Sequence, residues 1–241
     1  MHGLTVKMHC PTKPKRMILK IVGLIFVIFV YSESQTDDMS PQSLKPHCCD
    51  IRNEITITFI IPSKNRPTLN RTLSSLITQT DPNWCALVIA DGFTPPLFSD
   101  NRIQSISTEK LGKVGTSNHA GELRNIAAME ANTEWVGFVD DDDTLTSQYV
   151  SILKNELVQR PNLDFVIFRM QATDFKVLPP YGATDFKPFS VGISFAVRTK
   201  HMKDGFKFVS SDIEDYLLLN KMRMMNLTFH ISDYITYHVR H

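Results

Sequence analysis

Four consecutive aspartates, Asp140 to Asp143, follow the apolar stretch Trp135–Val139. Carboxylates this close repel one another unless a cation or solvent offsets their charge. A solvated acidic loop is one way to meet that condition. The other is an oxygen-ligand site for Mn²⁺ or Mg²⁺, hard cations that favour carboxylates and phosphate oxygens and leave positions open for a substrate. The run stands directly on the carboxyl end of an apolar segment, where an ordinary surface charge run rarely sits, and this favours the metal site. An EF-hand is excluded because no glycine occupies the position of its sharp turn. Three further groups could do chemistry: Ser63 to Arg66 after a β-branched run, Asp91-Gly92 after another, and Glu214-Asp215 at the head of an apolar helical pattern.

The elements that must hold these residues can be read from hydrophobic period. Thr56 to Ile61, ending at Pro62, reads as a buried strand, as do Cys85–Ala90 and Trp135–Val139. Leu69, Leu73, Leu76 and Ile77 recur at the spacing of one helical face, with Pro67 near the start. A third strand is expected at Ile103–Ile106, and helices at Gly121–Ala131, Ser147–Val158 and Ile213–Met224. Strands near Phe165–Met170, Ile193–Val197 and Ile231–Val239 complete the pattern. Strands alternating with helices imply an α/β fold with a mostly parallel central sheet flanked by helices. Ligands of such sheets bind beyond the carboxyl ends of the strands. The polar residues Ser63 to Arg66, Asp91 and Asp140 to Asp143 all follow strands, which is the main physical argument for a site. The segment ATDFK occurs twice, at Ala172–Lys176 and Ala183–Lys187, and a hairpin around Pro179–Gly182 would set the copies side by side.

The ordered set IPSKNRP, QTDPNW, VIADG, LRN and FVDDDD resembles the inverting family-2 glycosyltransferases of GT-A fold, whose usual counterparts are IPTYNRP, QTYPNW, VDDGS, ARN and FLDDDD. The resemblance covers Ile57 to the C-terminus. It implies a nucleotide-diphospho-sugar transferase fold, a nucleotide-sugar donor, commonly a UDP-sugar, and a glycan, lipid or protein acceptor. It further implies that Asp91 binds the base, Asp140 the ribose, and Asp142 the Mn²⁺ or Mg²⁺ that bridges the donor diphosphate. Pro62, Ser63, Asn65, Arg124 and Asp141 would line the donor pocket. Lys64 replaces the aromatic that the family commonly places there. Glu214-Asp215 is similar to the family's ED motif, making Asp215 the base that takes the acceptor's proton; a helix N-terminus favouring acids gives the same letters. The ending Tyr237-His238-Val239-Arg240-His241 is similar to the family's YRxH, which would bring His241, or else His238, to the metal.

Asp140, Asp142 and Thr144 also fit the DxDxT pattern of haloacid-dehalogenase-like phosphatases, with Asp140 as nucleophile. In those enzymes the nucleophile follows the first strand, whereas here at least two strand–helix units precede it. A noncatalytic GT-A domain that binds sugars is a third reading.

Composition bounds the rest. A hydrophobic content of 42% with 21% charged residues describes a globular protein rather than a disordered or multi-span one. The net charge is +1, but Lys7, Lys13, Lys15, Arg16 and Lys20 precede residue 21 with no acid among them, so the remainder is net acidic and offers no nucleic-acid surface. This basic tail (1–16) leads into the apolar segment 17–31, read as a signal anchor or a cleaved signal peptide, followed by a polar stem over 32–53 and the transferase domain over 54–241. The expected topology is a single-pass type II protein of the Golgi or ER membrane with a luminal catalytic domain, or a secreted one after cleavage. Two sequons, at Asn70 and Asn226, agree with that compartment. Cys48, Cys49 and Cys85 would form one disulfide and leave one thiol.

Overall fold

The computed structural model describes residues 57–111 and 119–239. β1 (Ile57–Ser63) and β2 (Trp84–Asp91) are buried along their entire length. That is why both read as continuous apolar runs rather than alternating ones: a strand covered on both faces has no polar side to keep. β1 lies between β2 and β4 (Trp135–Phe138), parallel to each, and β3 (Ile103–Thr108) extends the parallel set on the outer side of β2. The β1–β4 ladder ends at Ile60↔Phe138. Pro62 comes after that point, so its missing N–H breaks no bond to β4.

Beyond β4 the sheet is mixed. The order is β3-β2-β1-β4-β8-β6-β9-β5, with β8 (Phe195–Arg198) antiparallel to β4 and β6. β6 (Phe165–Gln171) runs parallel to the long β9 (Phe229–His238), and the short β5 (Thr144–Leu145) pairs antiparallel with the end of β9. A further short strand, β7 (Val177–Leu178), folds back on β6. The turn of that hairpin is the first ATDFK copy itself, closed by the amide of Ala172 donating to the carbonyl of Lys176 at 2.8 Å. The hairpin therefore turns at 172–176 and not about Pro179–Gly182.

Helices cover the sheet. α1 (Leu69–Ile77) buries Leu69, Thr72, Leu73 and Leu76, the stripe expected from its spacing. α2 (Ala120–Glu130) packs on β1 and β2 through Leu123, Ala127 and Ala128. α3 (Tyr149–Gln159) lies against β9, α4 (Thr199–Lys203) against α2, and α5 (Glu214–Met224) buries Leu218, Leu219 and Met222. The core runs without interruption from Phe59 and Ile61 through Phe138 and Tyr149 to Phe165, Phe168 and Phe195. Cys85 in β2 is disulfide-bonded. Cys48 and Cys49 lie outside the described residues.

Candidate active site

The carboxyl ends of β1 and β4 lie side by side, and the turns that leave them are tied together. Asp141 is buried, and its carboxylate accepts hydrogen bonds from the Ser63 hydroxyl at 2.8 Å and the Lys64 amide at 3.2 Å. Asn65, whose amide donates to Ser63 Oγ, takes a left-handed φ of 63°, a conformation asparagine tolerates better than most residues. Arg66 then reaches back to Asp141 Oδ1 at 3.3 Å and forms a close ion pair with Asp142. Burial pushes the Asp141 carboxyl above its usual range, while Ser63, Arg66 and the Lys64 amide only partly counter this. Asp142 is more open, with 28% of its side chain exposed at the mouth of the site. On the far side of β1, Asp91 ends β2 and accepts the Leu111 amide at 2.7 Å. Gly92 makes the following turn at φ +75°, and a Cβ there would stand 2.5 Å from that of Lys110.

The helix starts bring a second group to the same edge. Arg124 of α2 is almost wholly buried and reaches Asp140 Oδ1 and Glu214 Oε1, each at 2.5 Å. Burial disfavours its charge, but Asp140, Asp215 and Glu214 outweigh burial and raise its pKa, so the guanidinium stays charged. Gly121, one turn earlier, makes room for this arrangement: a Cβ there would come within 2.5 Å of Glu214 Oε2. Asp215 sits beside the cluster, and its Oδ1 is buried without a hydrogen-bond partner among the described residues. Burial, aided by Asp140 and Glu214 and opposed by Arg124, pushes Asp215 up to about 7. A carboxylate of this kind is poised to take a proton near neutral pH.

β9 closes the site from a third direction. The buried Tyr237 hydroxyl donates to Asp143 Oδ2 at 2.7 Å and accepts from the Asp140 amide at 3.2 Å. Arg71 of α1 donates to the Asp142 carbonyl at 2.9 Å, and the Thr72 hydroxyl donates to that of Asp143 at 2.7 Å. The acidic turn is thus held at both its backbone and its side chains, leaving Asp142 as its most open carboxylate after Asp140. Among the described residues no three His, Cys, Asp or Glu side chains stand close enough to hold a metal by themselves. A Mg²⁺-like ion that takes one or two carboxylates and completes its shell with substrate phosphates needs no such cage, so an open Asp142 fits the group. His238 pairs in register with Thr144 at the end of β9. His241 lies outside the described residues.

The family model described as "Glycosyl transferase family 2" matches residues 58–207, more than half of the chain. The chain belongs to glycosyl transferase family 2. A UDP-Glc:alpha-D-GlcNAc-diphosphoundecaprenol beta-1,3-glucosyltransferase, WfgD of Escherichia coli, is 26% identical over 203 residues, covering 76% of this chain and 78% of that protein. An uncharacterized glycosyltransferase of Haemophilus influenzae is 26% identical over 111 residues, which cover 46% of this chain and 37% of that protein. Among solved structures, residues 1–349 of S. aureus TarS superpose with a TM-score of 0.59 at 18% identity, over 77% of this chain and 60% of that one. The same TarS fragment has been solved with UDP-GlcNAc, where the TM-score is 0.60, at 18% identity over 77% of this chain and 58% of that one. The family-2 transferase thus has the GT-A fold expected from its motifs.

One expectation is corrected by these relatives. Both curated proteins are bacterial glycosyltransferases, from cells that contain neither Golgi nor ER, so the placement in the Golgi or ER membrane as a type II protein does not hold. No helix among the described residues is long and apolar enough to cross a membrane. The segment 17–31, on which the anchor reading rested, lies outside the described residues. The phosphatase reading also ends here, because the family-2 transferase carries Asp140 in the turn after its fourth strand, bound to Arg124.

The structure brings Ser63, Asn65, Arg124, Asp140, Asp141, Asp142 and Asp215 to one edge of the sheet, with Pro62 in β1 beneath them and Asp91 on the neighbouring strand. Sequence reasoning placed Arg66, Asp143, Glu214 and Tyr237 inside named motifs or runs but gave none of them a role of its own. The Arg124–Glu214 pair spans ninety residues and leaves no local trace.

Proposed function

We propose that this family-2 transferase moves a sugar from a UDP-sugar to an acceptor hydroxyl with inversion, with Asp215 as the base and Mn²⁺ or Mg²⁺ held at Asp142. The observation that carries the reading is Asp215: a buried, unpartnered carboxylate oxygen with its pKa at about 7, next in the chain to Glu214, which Arg124 bridges to Asp140. Asp140 and Asp91 bind the nucleoside, and Ser63 and Asn65 line its pocket above Pro62. Asp141 contributes from below, because its carboxylate holds the Ser63–Lys64 turn in place. The choice of UDP draws on the TarS complexes with UDP and UDP-GlcNAc. A lipid-linked acceptor draws on the name of the E. coli relative.

In the reaction the acceptor oxygen attacks the anomeric carbon as its proton passes to Asp215. The bond from that carbon to the β-phosphate oxygen breaks on the opposite face, and UDP departs. The bound divalent ion would neutralise charge on the leaving diphosphate as a Lewis acid. Arg124 holds Asp140 and Glu214 at a fixed separation, so the donor side and the base side keep one geometry through the step.

The test is a panel of nucleotide sugars assayed for nucleotide release with Mn²⁺ and with chelator, and for the anomeric configuration of any product. UDP-sugar turnover that needs the ion, disappears in Asp142→Asn and inverts the anomeric centre is expected. Retention of configuration, or full activity in chelator, would overturn the proposal.

A further inference from the structure

A cavity of about 300 Å³ is lined by Arg71, Gln171, Thr173, Phe175 and His238, and none of the residues of the Ser63 turn or of Asp91 borders it. Three elements build it. Gln171 and His238 are register partners at the ends of β6 and β9, Thr173 and Phe175 belong to the β6–β7 turn, and Arg71 enters from α1. Arg71 is exposed and spends one nitrogen on the Asp142 carbonyl, so the cavity shares a wall with the acidic turn. Beside this guanidinium the cavity presents an amide, a hydroxyl, an imidazole and the Phe175 ring.

The rim carries a second, independent feature. Phe175 adopts φ 63° and is 81% exposed. A bulky side chain in the left-handed region is an outlier, and an exposed ring gains nothing from burial to offset it. Glycine or asparagine would make the same turn without strain. A ring displayed in this way offers an apolar face to a ligand.

We infer that this cavity is an acceptor subsite for a sugar that carries a phosphate, with the sugar ring on Phe175 and the phosphate on Arg71. Gln171 and Thr173 meet the hydroxyls. A guanidinium fork matches phosphate geometry better than an ammonium does, and the volume lies at the lower end of that of small-molecule sites. The inference rests on the proposed donor site at Ser63, Asn65 and Asp91, none of which lines this cavity, so the cavity stays open beside Asp142 when the donor is bound. The phosphate can belong to a free sugar phosphate or to a lipid-linked one, and the chemistry of recognition is the same.

The experiment measures binding to the full chain held at saturating UDP and Mn²⁺. One arm titrates glucose 1-phosphate, with methyl glucoside as control, by saturation-transfer NMR. The other uses vesicles containing polyprenyl-phosphate glucose, with plain vesicles as control, by flotation. Phe175→Gly suits the left-handed backbone, so its fold is not at risk; Arg71→Lys keeps the charge but removes the fork. Binding in either arm that survives UDP and weakens at least tenfold in Phe175→Gly, and in Arg71→Lys for the phosphorylated ligand, is expected, and the arm that binds names the source. Equal binding by Phe175→Gly, displacement by UDP, or no binding in either arm overturns the subsite. UDP is monitored in the same samples, so loss of UDP binding alone counts against the donor reading and not against the subsite.

Discussion

Asp215 is where burial and function pull in opposite directions. Folding moves its carboxyl from the ordinary value of 3.8 to about 7, chiefly by burial. The folded protein therefore binds a proton more tightly there than the unfolded chain does. The stability this confers is fully present below the unfolded pKa and is lost as pH rises through about 7. The base, by contrast, works only when ionised, so the rate should climb with pH through the same range. Asp215→Asn cannot accept a proton and should lose roughly 10²–10⁴-fold in turnover. It should also melt at a higher temperature than the wild type at about pH 8, with that advantage gone at about pH 4, where the wild-type carboxyl is already neutral. Wild-type turnover that is flat from about pH 5.5 to 8, or an Asn variant no more stable at high pH, would show that this carboxylate is neither strained nor the base.

At the level of elements, Arg124 joins α2, the acidic turn and α5. Removing it takes the cation from between Asp140 and the buried Glu214, and breaking a buried pair in this way typically costs about 3–5 kcal/mol. Arg124→Met should show that loss in urea unfolding, and adding Glu214→Gln should restore part of it. Additive costs would mean that the two side chains do not depend on each other. None of this coupling was legible in the sequence, because the partners are distant and the acids of α5 read equally well as a helix start. The elements themselves were legible where burial is two-sided or the stripe is long, as in β1, β2 and α1. β5, β7 and α4 were not anticipated: two to five residues carry too little period to register, and their pairing with β9, β6 and α2 is supplied by the tertiary fold. The run of aspartates was visible, but not the division of labour within it. Asp141 and Asp143 turn inward to Ser63 and Tyr237, while Asp140 and Asp142 face the cleft.

For the whole molecule, one sheet runs from β3 to β5 through β4 and β8, and one core follows it. The reversal of direction at β8 was not readable from alternating strands and helices, since period reports burial and not strand sense. Continuity of the core implies that the donor side and the β9 side unfold together. A ligand that binds only the folded state stabilises it by RT ln(1 + [L]/Kd), about 2.7 kcal/mol at a hundredfold excess over Kd. For a domain of this size each kcal/mol raises Tm by roughly 2–4 °C, so UDP with Mn²⁺ should raise Tm by roughly 5–10 °C. Far-UV circular dichroism and tryptophan fluorescence should report the same midpoint, because Trp84 and Trp135 sit in the parallel half while much of the remaining strand signal comes from β6 and β9. In Asp142→Asn the Mn²⁺-dependent part of the shift should vanish while the unliganded Tm stays close to wild type, since that side chain is partly exposed and its loss also frees Arg66. Two separate midpoints would refute the single core. A full Mn²⁺ increment in the variant would instead move the ion away from Asp142.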